Sequence, residues 1–263
     1  MLLLLFFRRW VSFSTFDVNT GFYHDALPGL LLHGCVLLLC LVHALVLAKK
    51  ARSFSVQAQK GLEGRFRLVY APAAFFLLMT FYSTVYNHYY LYPIKGFYSY
   101  CMFFFQLLSV CFFALLLLGF LPNIPFLEML LCASPAIYHA FALMFHYARS
   151  SPNMRDTTTL FLLLSDAVLA YGWLRMGEAF FNEDARFLST GVFGTTLSLY
   201  LTVGLLLPLF LFPEIRTNPY LFPILLSNVF SALALARFGF GIISNEPMAD
   251  IPQEVTDVET DGT

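Results

Sequence analysis

The sequence predicts an all-α fold, a polytopic membrane protein built as a bundle of seven transmembrane helices. Three observations predict it. Of 263 residues, 59% are hydrophobic and 12% charged, whereas a soluble domain carries about 25% charged residues. Mean hydropathy is +0.73. The apolar residues gather into seven stretches, at 28–48, 67–91, 97–121, 126–148, 158–181, 187–212 and 219–243. Each is long enough to cross about 30 Å of hydrocarbon, and each is bounded by charge, Pro, Asn or Gly, as helix ends should be.

The first 27 residues form a separate N-terminal segment. Its opening, "MLLLLFFRRWVSFSTF", is apolar, basic and free of acids. The positive charge follows the apolar run and no small-residue cleavage site is evident, so a secretory signal is not the expectation. A mitochondrial targeting segment and an interfacial amphipathic helix both fit, the latter with Arg8 and Arg9 at the headgroups.

The first and second spans are joined by 49–66. Lys49, Lys50, Arg52, Lys60 and Arg65 stand there, with Arg67 at the start of the second span, against the single acid Glu63, so positive charge predicts this loop on the inner side. Seven spans then leave the N-terminus outside and the C-terminus inside. The second span ends in "YSTVYNHYYLYP", a tyrosine-rich interfacial belt or the rim of a vestibule for a quinone or lipid. The third and fourth spans are separated by "PNIP", a turn tight enough to make them antiparallel neighbours. "RSSPNMRDT" links the fourth to the fifth. Helix kinks are expected at Pro72, Pro135 and Pro208. Beyond the last span, 244–263 is an acidic tail without a base, expected to be disordered.

Ionisable residues inside spans are costly and stand as functional candidates. Glu128, Arg175, Glu178 and Arg237 fall near the inner end. Arg175 and Glu178 share a helical face, and Arg237 is expected to pair with Glu178 first and Glu128 second, or to snorkel to the headgroups. Asp166, in "LFLLLSDAVLAYGW", lies too deep to snorkel. It is read as structural hydrogen-bonded glue or as a proton-relay or substrate-binding residue, with His139 as a further candidate near mid-membrane. His33 and His146 fall at one depth, as a haem pair would, but His43 has no partner for the second pair of a two-haem carrier. The five cysteines all lie in apolar runs and read as packing residues.

No catalytic residue, metal ligand set or cofactor is therefore expected. The small residues of the last span, Ser231, Ala232, Ala234, Ala236, Gly239 and Gly241, place it inside the bundle. The same helix reads "ALARFGFGII", which resembles the seventh helix of the microbial rhodopsins, where a lysine carries retinal. The resemblance implies a seven-helix fold with its N-terminus outside. Arg237 occupies the lysine position and Leu233 that of the usual aspartate. Arginine stays protonated and forms no Schiff base, so covalent retinal chemistry is not implied.

The leading expectation is a non-enzymatic accessory, scaffold or assembly subunit of a membrane complex, with the mitochondrial inner membrane as a candidate location. The alternatives are an intramembrane lipid- or quinone-handling enzyme or carrier, and a channel or transporter. Membrane lipids and neighbouring subunits are the expected partners. Nucleic acid is not, at a net charge of −1.

Overall fold

A computed structural model describes residues 16–17, 22–23, 26–56, 65–90, 97–150, 157–182, 185–211 and 216–247. The basic N-terminal stretch to residue 15, most of the first loop, the 151–156 connection and the acidic tail from 248 lie outside the described residues.

Seven helices carry the chain: α1 (Ala26–Ala51), α2 (Tyr70–Tyr90), α3 (Phe97–Leu118), α4 (Pro125–Ser150), α5 (Thr157–Asn182), α6 (Ala185–Leu206) and α7 (Leu221–Gly241). All seven are long and apolar enough to cross a membrane. The all-α expectation holds, with two short antiparallel ribbons added. β1 (Phe16–Asp17) pairs with β2 (Phe22–Tyr23), and β3 (Phe54–Val56) with β4 (Ile243–Pro247). The second ribbon joins the segment after α1 to the segment after α7, so both leave the bundle at one end. The same-side relation expected of the first loop and the C-terminal segment follows directly.

Local chemistry sets where the helices stop. α3 ends at Leu118, short of the expected 121, because Gly119 turns left-handed at φ 73°. Its N–H donates to the Leu116 carbonyl and that of Phe120 to Leu115, the paired closure of a glycine C-cap. The Arg67 guanidinium lies against Gly119 and donates from Nη1 to the Leu118 carbonyl at 3.3 Å, a cation where a helix C-terminus favours one. α4 starts on Pro125, whose missing N–H costs nothing at a first helical position. The three prolines behave differently. Pro72 sits in the first turn of α2. Pro208 falls in a 3₁₀ turn, Leu207–Leu211, that ends α6. Pro135 alone lies inside a helix, and it leaves the Leu131 carbonyl without its backbone donor. The Ser134 hydroxyl donates to that carbonyl instead, at 2.7 Å. At the start of α7, Asn218 Oδ1 accepts from the backbone N–H groups of Tyr220 and Leu221, both at 3.0 Å.

Helices α2 to α6 pack in sequence order, and α7 packs against α2, α5 and α6. The interior position expected for α7 is met: Ala232, Ala234, Leu235 and Phe238 are buried. Gly172 of α5 and Gly194 of α6 touch, with no room for a side chain on either. Helix α1 stands apart, packed chiefly on α6. It is held there by Ser189, donating to the Ala48 carbonyl at 2.8 Å, and by a 2.7 Å bond between Tyr200 and His43.

Candidate functional site

Three helices deliver a polar cluster into the apolar bundle. On α4, His139 and His146 are seven residues apart, two helical turns, and so lie on one face. On α5, Ser165 and Asp166 are adjacent, and Trp173 follows Asp166 on the same face two turns on. On α7, Asn228 and Ser231 are three apart and project together. Asp166 is 0% exposed, His139 1% and His146 10% at the side chain.

The hydrogen bonds converge on the carboxylate. Asp166 Oδ1 is 3.0 Å from His139 Nδ1 and 3.0 Å from Asn228 Nδ2, while Oδ2 is 2.9 Å from His146 Nδ1. An ionised carboxylate only accepts, so both histidines present a protonated Nδ1 to it. The indole fixes the direction of one further bond. Trp173 Nε1 has a hydrogen to give and none to receive, and it donates to Ser231 Oγ at 3.0 Å. The serine proton is then free to donate to His139 Nε2, 2.9 Å away. A neutral Nδ1–H tautomer of His139 fits these contacts and gives a chain that runs Trp173, Ser231, His139, Asp166. Asn228 Nδ2 also donates to Ser165 Oγ at 2.9 Å, and Ser165 passes its own proton to the Leu162 carbonyl at 2.8 Å. Asn228 Oδ1 alone is left buried without a partner.

The cluster is off-centre. Asp166 is nine residues into α5 and His146 four residues from the end of α4, so both sit nearer the α4–α5 connection than the β3–β4 end. Toward β3–β4 the polar groups give way to an aromatic plug. Phe112 and Phe113 of α3, Trp173 and Phe180 of α5 and Phe238 of α7 are all buried in one core. Their rings meet at 5.4–6.0 Å, as in Phe180–Phe238, Phe112–Trp173 and Phe112–Phe238.

Of the residues singled out from sequence, the structure brings Asp166 and His139 into direct contact. Arg175 and Glu178 also meet, with Arg175 Nη1 donating to Glu178 Oε2 at 2.7 Å. This ion pair is roughly one-third exposed at both ends. The pairing expected for Arg237 is not formed: Glu178 is taken by Arg175, and among the described residues no carboxylate forms an ion pair with Arg237. Glu128 lies in the first turn of α4, close to Cys132. His146 points at Asp166 rather than toward a haem, and the side chains of His33 and His88 lie outside the described residues. Among the described residues, no group of three His, Cys, Asp or Glu has the geometry of a metal site. All five cysteines are free.

Ser165, Asn228, Ser231 and Trp173 were not anticipated as parts of the site. Their signal was present: Asn228 is the sole amide side chain in α7, and Ser231 follows at the spacing that shares its face. The fold and the spans define an integral multi-pass membrane protein. The chain matches no protein-family model, no curated protein and no solved structure.

Proposed function

We propose that this protein is a proton-binding membrane carrier whose protonatable centre is Asp166 with His139 and His146. One observation carries the reading: a carboxylate with no exposure of its own is bonded to two histidines, one of which is the most exposed member of the cluster. With both imidazoles neutral the trio carries one negative charge. One added proton neutralises it while leaving the Nδ1–H bonds in place. A buried site that trades a charge for a proton without losing its hydrogen bonds suits coupling between proton binding and helix movement. His146 supports entry from the α4–α5 end, and the aromatic plug supports closure toward β3–β4.

Orientation and membrane are part of the same reading. Lys49 and Lys50 close α1 at the end shared with β4, which supports that end as the inner one and an outside N-terminus. The basic, acid-free opening segment supports the mitochondrial inner membrane. A tag after residue 57 and one at the C-terminus should both be shielded from a protease acting from outside.

The test of the carrier reading uses proteoliposomes holding an internal pH dye. A panel of small organic ions is applied outside, and at least one should drive a pH change that Asp166→Asn abolishes. Infrared difference spectra between acid and alkaline pH should show imidazole and carboxylate bands in the wild type. Silence in both measurements would remove the reading.

A second reading, an accessory or assembly subunit, has one observation in its favour. Helix α1 exposes Leu37, Leu38, Leu39, Val42, Leu45 and Val46, away from its seat on α6, a face that a neighbouring subunit would cover. Migration as a larger complex from native membrane would support it.

A further inference from the structure

Arg237 is a cation inside a span with which no described carboxylate forms an ion pair. It lies four residues before Gly241, about 6 Å from the end of α7. Its Nε is buried without a hydrogen-bond partner. Arg67 and Arg175 also have a buried, unpartnered Nε, but each is bonded through Nη1, Arg67 to the Leu118 carbonyl and Arg175 to Glu178. A guanidinium inside a span does not lose its charge, and no described carboxylate neutralises this one.

The surroundings say which anion. Tyr70, at the start of α2, lies within electrostatic reach of Arg237. The α2–α7 register agrees, since Phe76 stacks on Phe230 at 5.1 Å and the helices run antiparallel. Arg237 belongs to a stripe of α7 with Phe230, Leu233 and Phe240, none of them buried, and Phe240 57% exposed. That stripe is apolar from Arg237 back toward mid-membrane, as an acyl chain requires. The same end carries Lys49, Lys50 and Arg52, which draw anionic lipid to that leaflet.

We propose that Arg237, with Tyr70 beside it, holds the headgroup phosphate of an anionic phospholipid whose acyl chain lies along Phe230 and Leu233 in the seam between α2 and α7. Guanidinium donors match phosphate oxygens in pairs, and the tyrosine hydroxyl adds a further donor. This site is separate from the proton centre, and its test does not depend on transport.

The experiment is native mass spectrometry of the purified full chain, released from mixed micelles of phosphatidylglycerol and phosphatidylcholine. The wild type should retain one phosphatidylglycerol in preference to phosphatidylcholine. Arg237→Gln should weaken that retention about tenfold or more, the scale of one charge-assisted contact. Arg237→Lys should keep part of it, and Tyr70→Phe should lose a smaller part. Arg175→Gln removes a paired arginine and should change nothing. If Arg237→Gln gives no folded protein, Arg237→Lys and Tyr70→Phe still rank the site. Inorganic phosphate at millimolar concentration should not displace the lipid, and displacement would identify a free-anion site instead. Equal retention by the wild type and its Arg237 and Tyr70 variants overturns the proposal. So does a co-purifying protein that occupies the seam and excludes lipid.

Discussion

The two halves of this bundle solve the same problem with opposite materials. Toward the α4–α5 connection, helices are joined by a carboxylate, two imidazoles, an amide and hydroxyls. Toward β3–β4 the same helices α5 and α7, now with α3, are joined by interlocked rings of Phe112, Phe113, Trp173, Phe180 and Phe238. Lipid tails are as apolar as the side chains, so helices gain little from hiding apolar surface from them. What remains is packing and hydrogen bonding, and each half relies on one. Trp173 belongs to both, its ring in the plug and its N–H in the network. On the proposed carrier reading, the polar half would hold the exchangeable charge and the aromatic half would be the seal.

The largest expected effect breaks the polar half. Asp166→Leu leaves two Nδ1–H donors and the Asn228 amide facing hydrocarbon. Each buried donor left without its acceptor costs about 1–3 kcal/mol. Thermal denaturation in detergent should show a large loss, and the triple change with His139→Phe and His146→Phe should recover part of it. If Asp166→Leu unfolds no more easily than the wild type, the network is not bonded as described.

The aromatic half should break more gently in stability and more visibly in permeability. Phe112 is fully buried against Trp173 and Phe238, and Phe112→Ala leaves a cavity that costs about 3 kcal/mol. On the carrier reading, that cavity would open the plug between the polar half and the β3–β4 end. Proteoliposomes carrying Phe112→Ala should leak protons down an imposed gradient without added solute, while the wild type holds the gradient. A tight Phe112→Ala membrane would show that the seal lies elsewhere.

Most of the fold was legible in sequence because span length and helix-breaking residues act along the chain. The observed ends moved by a few residues where Gly119 and Pro208 took control. The lateral arrangement was not legible. Apolar residues surround each helix on every side, so no amphipathic stripe told α1 to dock on α6. The same limit misassigned Arg237. Depth along the membrane normal suggested Glu178, but depth is one coordinate, and Glu178 faces its own helix neighbour Arg175. Asp166 and His139 were each recognisable as costly residues. Their joining to Asn228 and Ser231 needed the azimuth of α7, which only packing supplies.

A smaller effect tests the helix end that positions Arg67. Gly119→Ala puts a methyl group against the Arg67 guanidinium in a left-handed residue. The backbone alone costs about 1–2 kcal/mol. The melting temperature should fall modestly, while proton leak and the imidazole bands stay as in the wild type, since neither half is touched. A change in either band set would mean that the α3 end is coupled to the network.

The smallest effect falls at the junction between the halves. Ser231 accepts from Trp173 and donates to His139, so Ser231→Ala strands the indole N–H and frees Nε2 at once. Hydrogen bonds between membrane helices average about 0.6 kcal/mol and rarely exceed about 1.7, so losing two should lower stability by about 1 kcal/mol. The informative readout is spectroscopic. In the wild type, ¹⁵N resonances of His139 should mark Nδ1 as protonated and Nε2 as an acceptor. In Ser231→Ala the Nε2 signal should move toward that of an imidazole nitrogen without a donor, while Nδ1 stays bonded to Asp166. A Trp173→Phe change should shift the same Nε2 signal less, because the serine proton remains free to donate. If Trp173→Phe moves it as far as Ser231→Ala does, the serine proton points elsewhere. The Ser231–His139 bond would then run the other way, with Nε2 donating to the serine oxygen while the indole still donates to it.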